Sequence, residues 1–128
     1  MEFICDTRTA RVERSAEGIV VTRIQPDVVQ TVEDAIQNVS TSAKACGGKK
    51  GPLLVDLRFA RPLDAETRHY YSGKQLTDFF TSMAMVVPIG AWGKMFGNIY
   101  LRVAKPGIPA RLFNNENDAL AWSQRYLP

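Results

Sequence analysis

"LVDLRFARPLDAETRHYY", residues 54 to 71, joins an apolar run to a cluster of charges and aromatic rings, and its reading decides the fold. Its beginning belongs to "PLLVDL", residues 52–57, short and nearly continuously apolar. Such a run forms a strand covered on both faces, in the interior of an α/β sheet. Asp56 sits toward its end, and six residues of irregular composition, Pro62 among them, lead to Asp64. The Asp64 carboxylate is placed to accept from the free amides that open a helix, here from Ala65 to about Ser72.

Upstream, Phe3 to Glu13 is rich in Thr, Ile and Val with polar residues interleaved, and Ser15-Ala16-Glu17-Gly18 supplies turn chemistry before "IVVTRI". This predicts a hairpin with strands near residues 3–13 and 19–24. After Pro26 and Asp27, Thr31 with Asp34 three residues on has the spacing of a capping box, with a shorter acid than usual. Val32, Ala35, Ile36, Val39 and Ala43 follow at helical spacing. Gly47-Gly48 ends that helix by permitting left-handed backbone angles.

Downstream, Gly73 interrupts the second helix. A further helical piece, Gln75 to Ser82, carries Leu76, Phe79, Phe80 and Met83 on one face. "AMVVPI", residues 84–89, is the next buried strand, with Pro88 at its end, where a missing amide does least harm. "GAWGKMFGNIYLRVAK", residues 90–105, places Trp92, Met95, Phe96, Ile99 and Val103 on one helical face. Pro106-Gly107 breaks the chain before a last strand, "IPARLF". Asn115 with Asp118 then starts a final helix bearing Ala119, Leu120, Trp122 and Tyr126. The order ββαβαβαβα predicts an α/β domain with a mostly parallel or mixed five-stranded sheet and four to five helices. Right-handed crossovers follow, with the first strand at or near an edge.

The chain of 128 residues, 45% hydrophobic and 23% charged, suits one globular domain over residues 1–128 and excludes a disordered or collagenous chain. The 16 Lys and Arg against 13 Asp and Glu leave +3, with no block of like charges, so nucleic acid is not demanded. "CGGKKGP", residues 46–52, lacks the spacing of a phosphate-binding loop and reads as a solvated turn. Cys5 and Cys46 stand far apart, outside metal-ligand spacing, so neither a disulfide framework nor a zinc site is supported. No cofactor or metal is expected. Without a signal peptide or an apolar stretch of membrane-spanning length, a cytoplasmic location is expected.

Taken as an ensemble, the element order, the LxDLR strand, the "LDAETR" helix start, the "GNIYLR" helix and the "RLFNNENDALAW" ending resemble the STAS domain. The resemblance covers nearly the full length and points to the small bacterial SpoIIAA-like, or STAS/SEC14-like, proteins. It implies the SpoIIAA-like fold and a regulatory, protein-binding role. In the phosphoregulated STAS antagonists an Asp-Ser pair carries the phosphorylated serine, and the match puts that Asp at Asp64 and the serine at Ala65. Alanine has no hydroxyl, so the kinase switch cannot operate at this position. Thr67 is a poor substitute, because its hydroxyl stays near its own backbone.

Arg58, Arg61 and Arg68 project near the helix start, where their guanidinium groups suit carboxylate or phosphate ligands. The plainer reading pairs them with Asp56, Asp64 and Glu66 at the surface. Asp64 and His69 supply an acid and a base for a hydrolase or transferase. Capping explains Asp64, however, and His69 has no nucleophile in its sequence context, so no catalytic residue is assigned. Ligands of open α/β sheets bind at the carboxyl ends of strands, which selects Arg58, Arg61, Asp64, Arg68 and His69 as the partner-binding set. The resemblance extends to lipid-transfer CRAL-TRIO domains, and it gives Trp92, Met95, Phe96 and Ile99 a second reading besides core. Residues 90–104 then form a mobile lid helix over an apolar ligand or against a membrane surface, weakened by roughly 1 kcal/mol at each of Gly90, Gly93 and Gly97. The first reading is a non-enzymatic STAS-like module that docks a protein partner, or its own copy as a homodimer. The second is lipid or apolar small-molecule binding, with at most peripheral membrane association.

Overall fold

A computed structural model describes residues 1–71, 74–90 and 107–128. Its centre is a mixed sheet of six strands: β1 (Glu2–Asp6), β2 (Ala10–Arg14), β3 (Val20–Ile24), β4 (Gly51–Asp56), β5 (Phe80–Val86) and β6 (Ala110–Phe113). Each strand is hydrogen-bonded to the next in chain order. The β1–β2 and β2–β3 pairs are antiparallel, and β3 through β6 run parallel. The helices among the described residues are α1 (Val32–Ala45), α2 (Ala65–Tyr71), α3 (Lys74–Phe79) and α4 (Glu116–Ser123), followed by one 3-10 turn, Gln124–Tyr126.

The α/β class and the first strand at an edge match the reading of the sequence. The expectation of five strands does not, because Phe3 to Glu13 is two strands rather than one. Thr7 causes the break. Its hydroxyl accepts from the Ala10 amide at 3.0 Å and its own amide donates to the Ala10 carbonyl at 2.8 Å, closing a reverse turn. A second correction concerns residues 75–82, where the expected helix ends at Phe79 and β5 begins at Phe80. Phe80 and Met83 are therefore strand residues, both buried, while Phe79 is partly exposed. Gly73, Trp92, Met95, Phe96 and Ile99, with the rest of the expected lid helix after Gly90, lie outside the described residues.

Several local signals act as expected. Thr31 and Asp34 form the capping box of α1, and Gly47 and Gly48 take φ of 74° and 90° in the turn that returns the chain to β4. Asn115 caps α4 by accepting from the Asp118 amide at 2.9 Å.

Alternation along the strands separates two apolar layers. Val20, Ile24, Leu53, Leu57, Met83 and Met85 pack on the side carrying Val39 of α1 and Leu76 of α3. Ile19, Val21, Leu54, Ala84 and Val86 pack against Ala119 and Trp122 of α4. With both faces covered, β4 has the continuous hydrophobic sequence of an interior parallel strand.

Candidate functional site

Because β1, β3, β4, β5 and β6 share one direction, the loops leaving them open at the same end of the sheet. That end holds most of the residues selected from the sequence, and around it lie an ionic group, the start of α2 and a set of exposed apolar side chains that the sequence reading did not select.

The first group is ionic. Arg23 of β3 lies on the α4 side of the sheet, two residues beyond the buried Val21. Its guanidinium donates to Glu13 at 2.7 Å, to Asp56 at 3.2 Å and to both oxygens of Glu116 at 2.5 and 3.2 Å. Arg58 grips Asp56 from the loop side with two bonds, at 2.9 and 2.8 Å. Glu116 reaches Arg58 as well, at 3.8 Å. Two arginines thus serve three carboxylates, with Arg11 adding a longer contact to Glu13 at 3.4 Å. Hydrogen bonding to Glu116, and then to Glu13, holds Arg23 well above the ordinary arginine pKa. Burial alone would push the Asp56 carboxyl up, but the bonds from Arg58 and the Arg23 charge outweigh it and leave Asp56 below the usual carboxylate range.

The second group surrounds the start of α2. Asp64 accepts from the Thr67 amide at 2.8 Å, and that bond lowers its pKa. Arg68 donates to the Leu63 carbonyl at 2.7 Å. Arg61 faces Asp27 across two loops at 3.5 Å, with both side chains largely in water. Asp27 itself has a φ of 62°, a left-handed conformation that Asp tolerates in turns. His69 lies further along α2, beside a shallow depression shared with Val32, Glu66, Tyr70 and Gln75. The five selected residues therefore do not converge: Arg58 belongs to the ionic group, Asp64 and Arg68 serve the helix start, Arg61 meets Asp27, and His69 borders a different depression further along α2. Thr67 is fully buried, out of a kinase's reach in this fold.

The third group is apolar. Val29 after β3, Phe59 after β4 and Ile89 after β5 are 60%, 65% and 85% exposed. Beside Val29, Arg8 in the β1–β2 turn bonds the Val29 carbonyl at 2.9 Å and forms a two-pronged pair with Asp34. That pair holds the Asp34 carboxyl down at about 2.

Below this end, between α1 and the sheet, Tyr71 donates to Gln30 at 2.8 Å and the Thr22 and Ser42 hydroxyls are hydrogen-bonded at 2.6 Å. These residues border a cavity of about 30 Å³, walled mainly by Ile24, Leu53, Leu57, Met83 and Met85. That volume suits roughly one water molecule. Among the described residues, no group of three or more His, Cys, Asp or Glu side chains is arranged to hold a metal ion, and no helix is long and apolar enough to cross a membrane.

A family model described as "Domain of unknown function (DUF7793)" matches residues 13–127. The chain belongs to that family. The DUF7793 match takes in Glu13, Arg23, Asp56, Arg58 and Glu116, and begins after β1. No curated protein matches the chain. The chain is also similar to a crystal structure of a protein with unknown function from Arthrobacter sp. FB24, at 21% identity over 87% of this chain and 96% of that one, with a TM-score of 0.34.

Arg23, Glu13 and Glu116 were not selected from the sequence, although a signal was present. Ile19, Val21 and Arg23 alternate onto one face, so a strand that buries the first two turns an arginine the same way. Its partners come from β2 and α4, far away in the chain, and nothing in the spacing announces them.

Proposed function

We propose that this DUF7793 chain is a non-enzymatic, cytoplasmic binding module of the STAS type that docks a protein partner through the loops at the carboxyl end of its parallel strands. Val29, Phe59 and Ile89 carry the reading. Three consecutive parallel strands each release a loop with a large apolar side chain in water, at the end of an α/β sheet where ligands usually bind. Arg58 and Arg61 bracket Phe59 in the sequence of the same loop, and Arg58 is held in place by Asp56. Buried apolar anchors with a charged rim are the usual anatomy of a protein interface. The docking is not gated by phosphorylation at the start of α2, because Ala65 has no hydroxyl and Thr67 is buried. The alternative is an apolar ligand or membrane surface engaged by residues 90–104, and the cavity of about 30 Å³ under α1 is too small to hold such a ligand.

The test pairs native mass spectrometry with affinity capture. A partner identified on the unmodified protein should be lost from a Phe59→Ser/Ile89→Ser variant, weakened by Arg61→Ala and retained by His69→Ala. A dimer in the native spectrum that the Phe59→Ser/Ile89→Ser variant abolishes would make the partner a second copy. Added mass that leaves on denaturation would favour the apolar-ligand reading. Retention of the partner by the double variant would refute docking at this end.

A further inference from the structure

The basic turn "GGKKG", residues 47–51, takes no part in the docking proposed above, yet it closes one end of a groove on the α1 side of the molecule. The groove runs between α1 and α3 and has a volume of about 790 Å³. Its walls are apolar: Ile36 and Val39 come from α1, and Tyr70 and Phe79 from the opposite side. Ile36 and Phe79 are 47% and 43% exposed although both belong to regular helices. Neither is needed to seal the core, which Val39 and Leu76 close beneath them.

At the end where α1 gives way to β4, Lys44, Lys49 and Lys50 line the same groove, with Asp78 as the single acid among the described lining residues. Lys50 is anchored, its ammonium donating to the Thr77 carbonyl at 3.1 Å. The groove thus joins an apolar trough to a positive end. It faces away from the loops bearing Val29, Phe59 and Ile89, since the turn after α1 leads into the amino end of β4.

We infer that this groove is a second docking site, and that it takes a short amphipathic helix of a partner protein whose apolar face ends in acidic residues. Charge complementarity selects the acidic end, because three lysines against one aspartate favour a carboxylate-bearing segment and repel a basic one. Shape selects a helix. Ile36, Val39 and Ala43 follow one another along α1 at helical spacing, over a rise of about 10 Å, and a second helix laid beside them meets that row with its own i, i+3, i+4 side chains. With docking surfaces at opposite ends of the sheet, the protein can bring two partners together.

The experiment pans a displayed library of helical peptides against the full chain and then maps enriched peptides by backbone amide NMR shifts. Enriched peptides should carry apolar residues at i, i+3 and i+4 with Asp or Glu clustered at one end, and the shifts should fall on Ile36, Ala43 and Phe79. Lys49→Glu/Lys50→Glu and Ile36→Asp should each weaken binding by about tenfold or more, with the thermal midpoint unchanged. Peptides with no acidic preference, unchanged affinity in the lysine variant, or shifts confined to the loop of Phe59 would overturn the inference. So would an absence of enriched peptides with cosedimentation on phosphatidylglycerol vesicles, which would assign the lysines to a membrane surface. None of these failures touches docking at Phe59 and Ile89, which has its own variant.

Discussion

Under α1 the polar groups buried against the sheet are mostly neutral, with Asp34 of the first turn as the ionised exception, while under α4 the sheet carries a cluster of charges around Arg23. On the α1 side, Asn38 donates to Thr9 at 2.9 Å, Thr22 meets Ser42 and Tyr71 meets Gln30. On the α4 side, Arg23 sits among Glu13, Asp56 and Glu116. Hydroxyls and amides need only modest desolvation and fix the seating of a helix by geometry. Charges are costlier to bury and hold only when every partner is present. The fourteen residues of α1 rely mainly on the first method, with the Arg8–Asp34 pair added at the helix start. The eight residues of α4 close the chain against a smaller apolar patch, and Glu116 ties their first turn to β2, β3 and β4 through one guanidinium.

The largest effect should come from neither network. Phe80→Ala removes a fully buried ring from the α1 side and should cost about 3–5 kcal/mol in denaturant unfolding. A loss below about 1 kcal/mol would show that this layer is loosely packed. Arg23→Ala should follow, at about 2–3 kcal/mol, because it leaves three carboxylates near one another with Arg58 and the longer contact of Arg11 as their remaining described arginine partners. If removing Arg23 costs no more than removing an exposed arginine, the contrast between the two sides fails.

Acid sharpens the comparison. Asp34 has its pKa lowered to about 2 from an ordinary 3.8, so its contribution to stability is fully present above about pH 4 and is lost as pH falls from there toward 2. Asp56 is shifted in the same direction. Urea midpoints should therefore drop between about pH 5 and pH 2.5, and Asp34→Asn should flatten part of that drop. Asn115→Ala removes only the cap of α4 and should cost about 1 kcal/mol. The smallest effect belongs to Arg61→Ala, below about 0.5 kcal/mol, because the pair with Asp27 stands in water. Its consequence should appear in partner capture and not in the melting curve.

Local chemistry explains what the sequence made legible. The capping box at Thr31 and Asp34, the cap at Asp64 and the apolar run of β4 each depend on neighbours within a few residues, and each stands where the spacing put it. The turn at Thr7 was hidden because Thr is equally at home in a strand, and only the hydroxyl bond to Ala10 decides between the two. The boundary at Phe79 and Phe80 was hidden for a different reason. Leu76, Phe79, Phe80 and Met83 satisfy a helical period, but parallel pairing with β4 claims Phe80 and Met83 for the sheet. The candidate site was legible as single residues and not as a set. Arg58 and Asp64 lie six apart in sequence, yet one belongs to an ionic hub spanning β2 to α4 and the other to its own helix.

Sequential strand order has a consequence for how the molecule is made. Among the described residues, each strand after β1 finds a hydrogen-bonding neighbour in the strand synthesised just before it. The sheet can therefore grow vectorially from the ribosome, strand by strand. A nascent chain that has emerged through β4 already holds four contiguous strands and α1, and no gap in the sheet waits for a later segment to fill it.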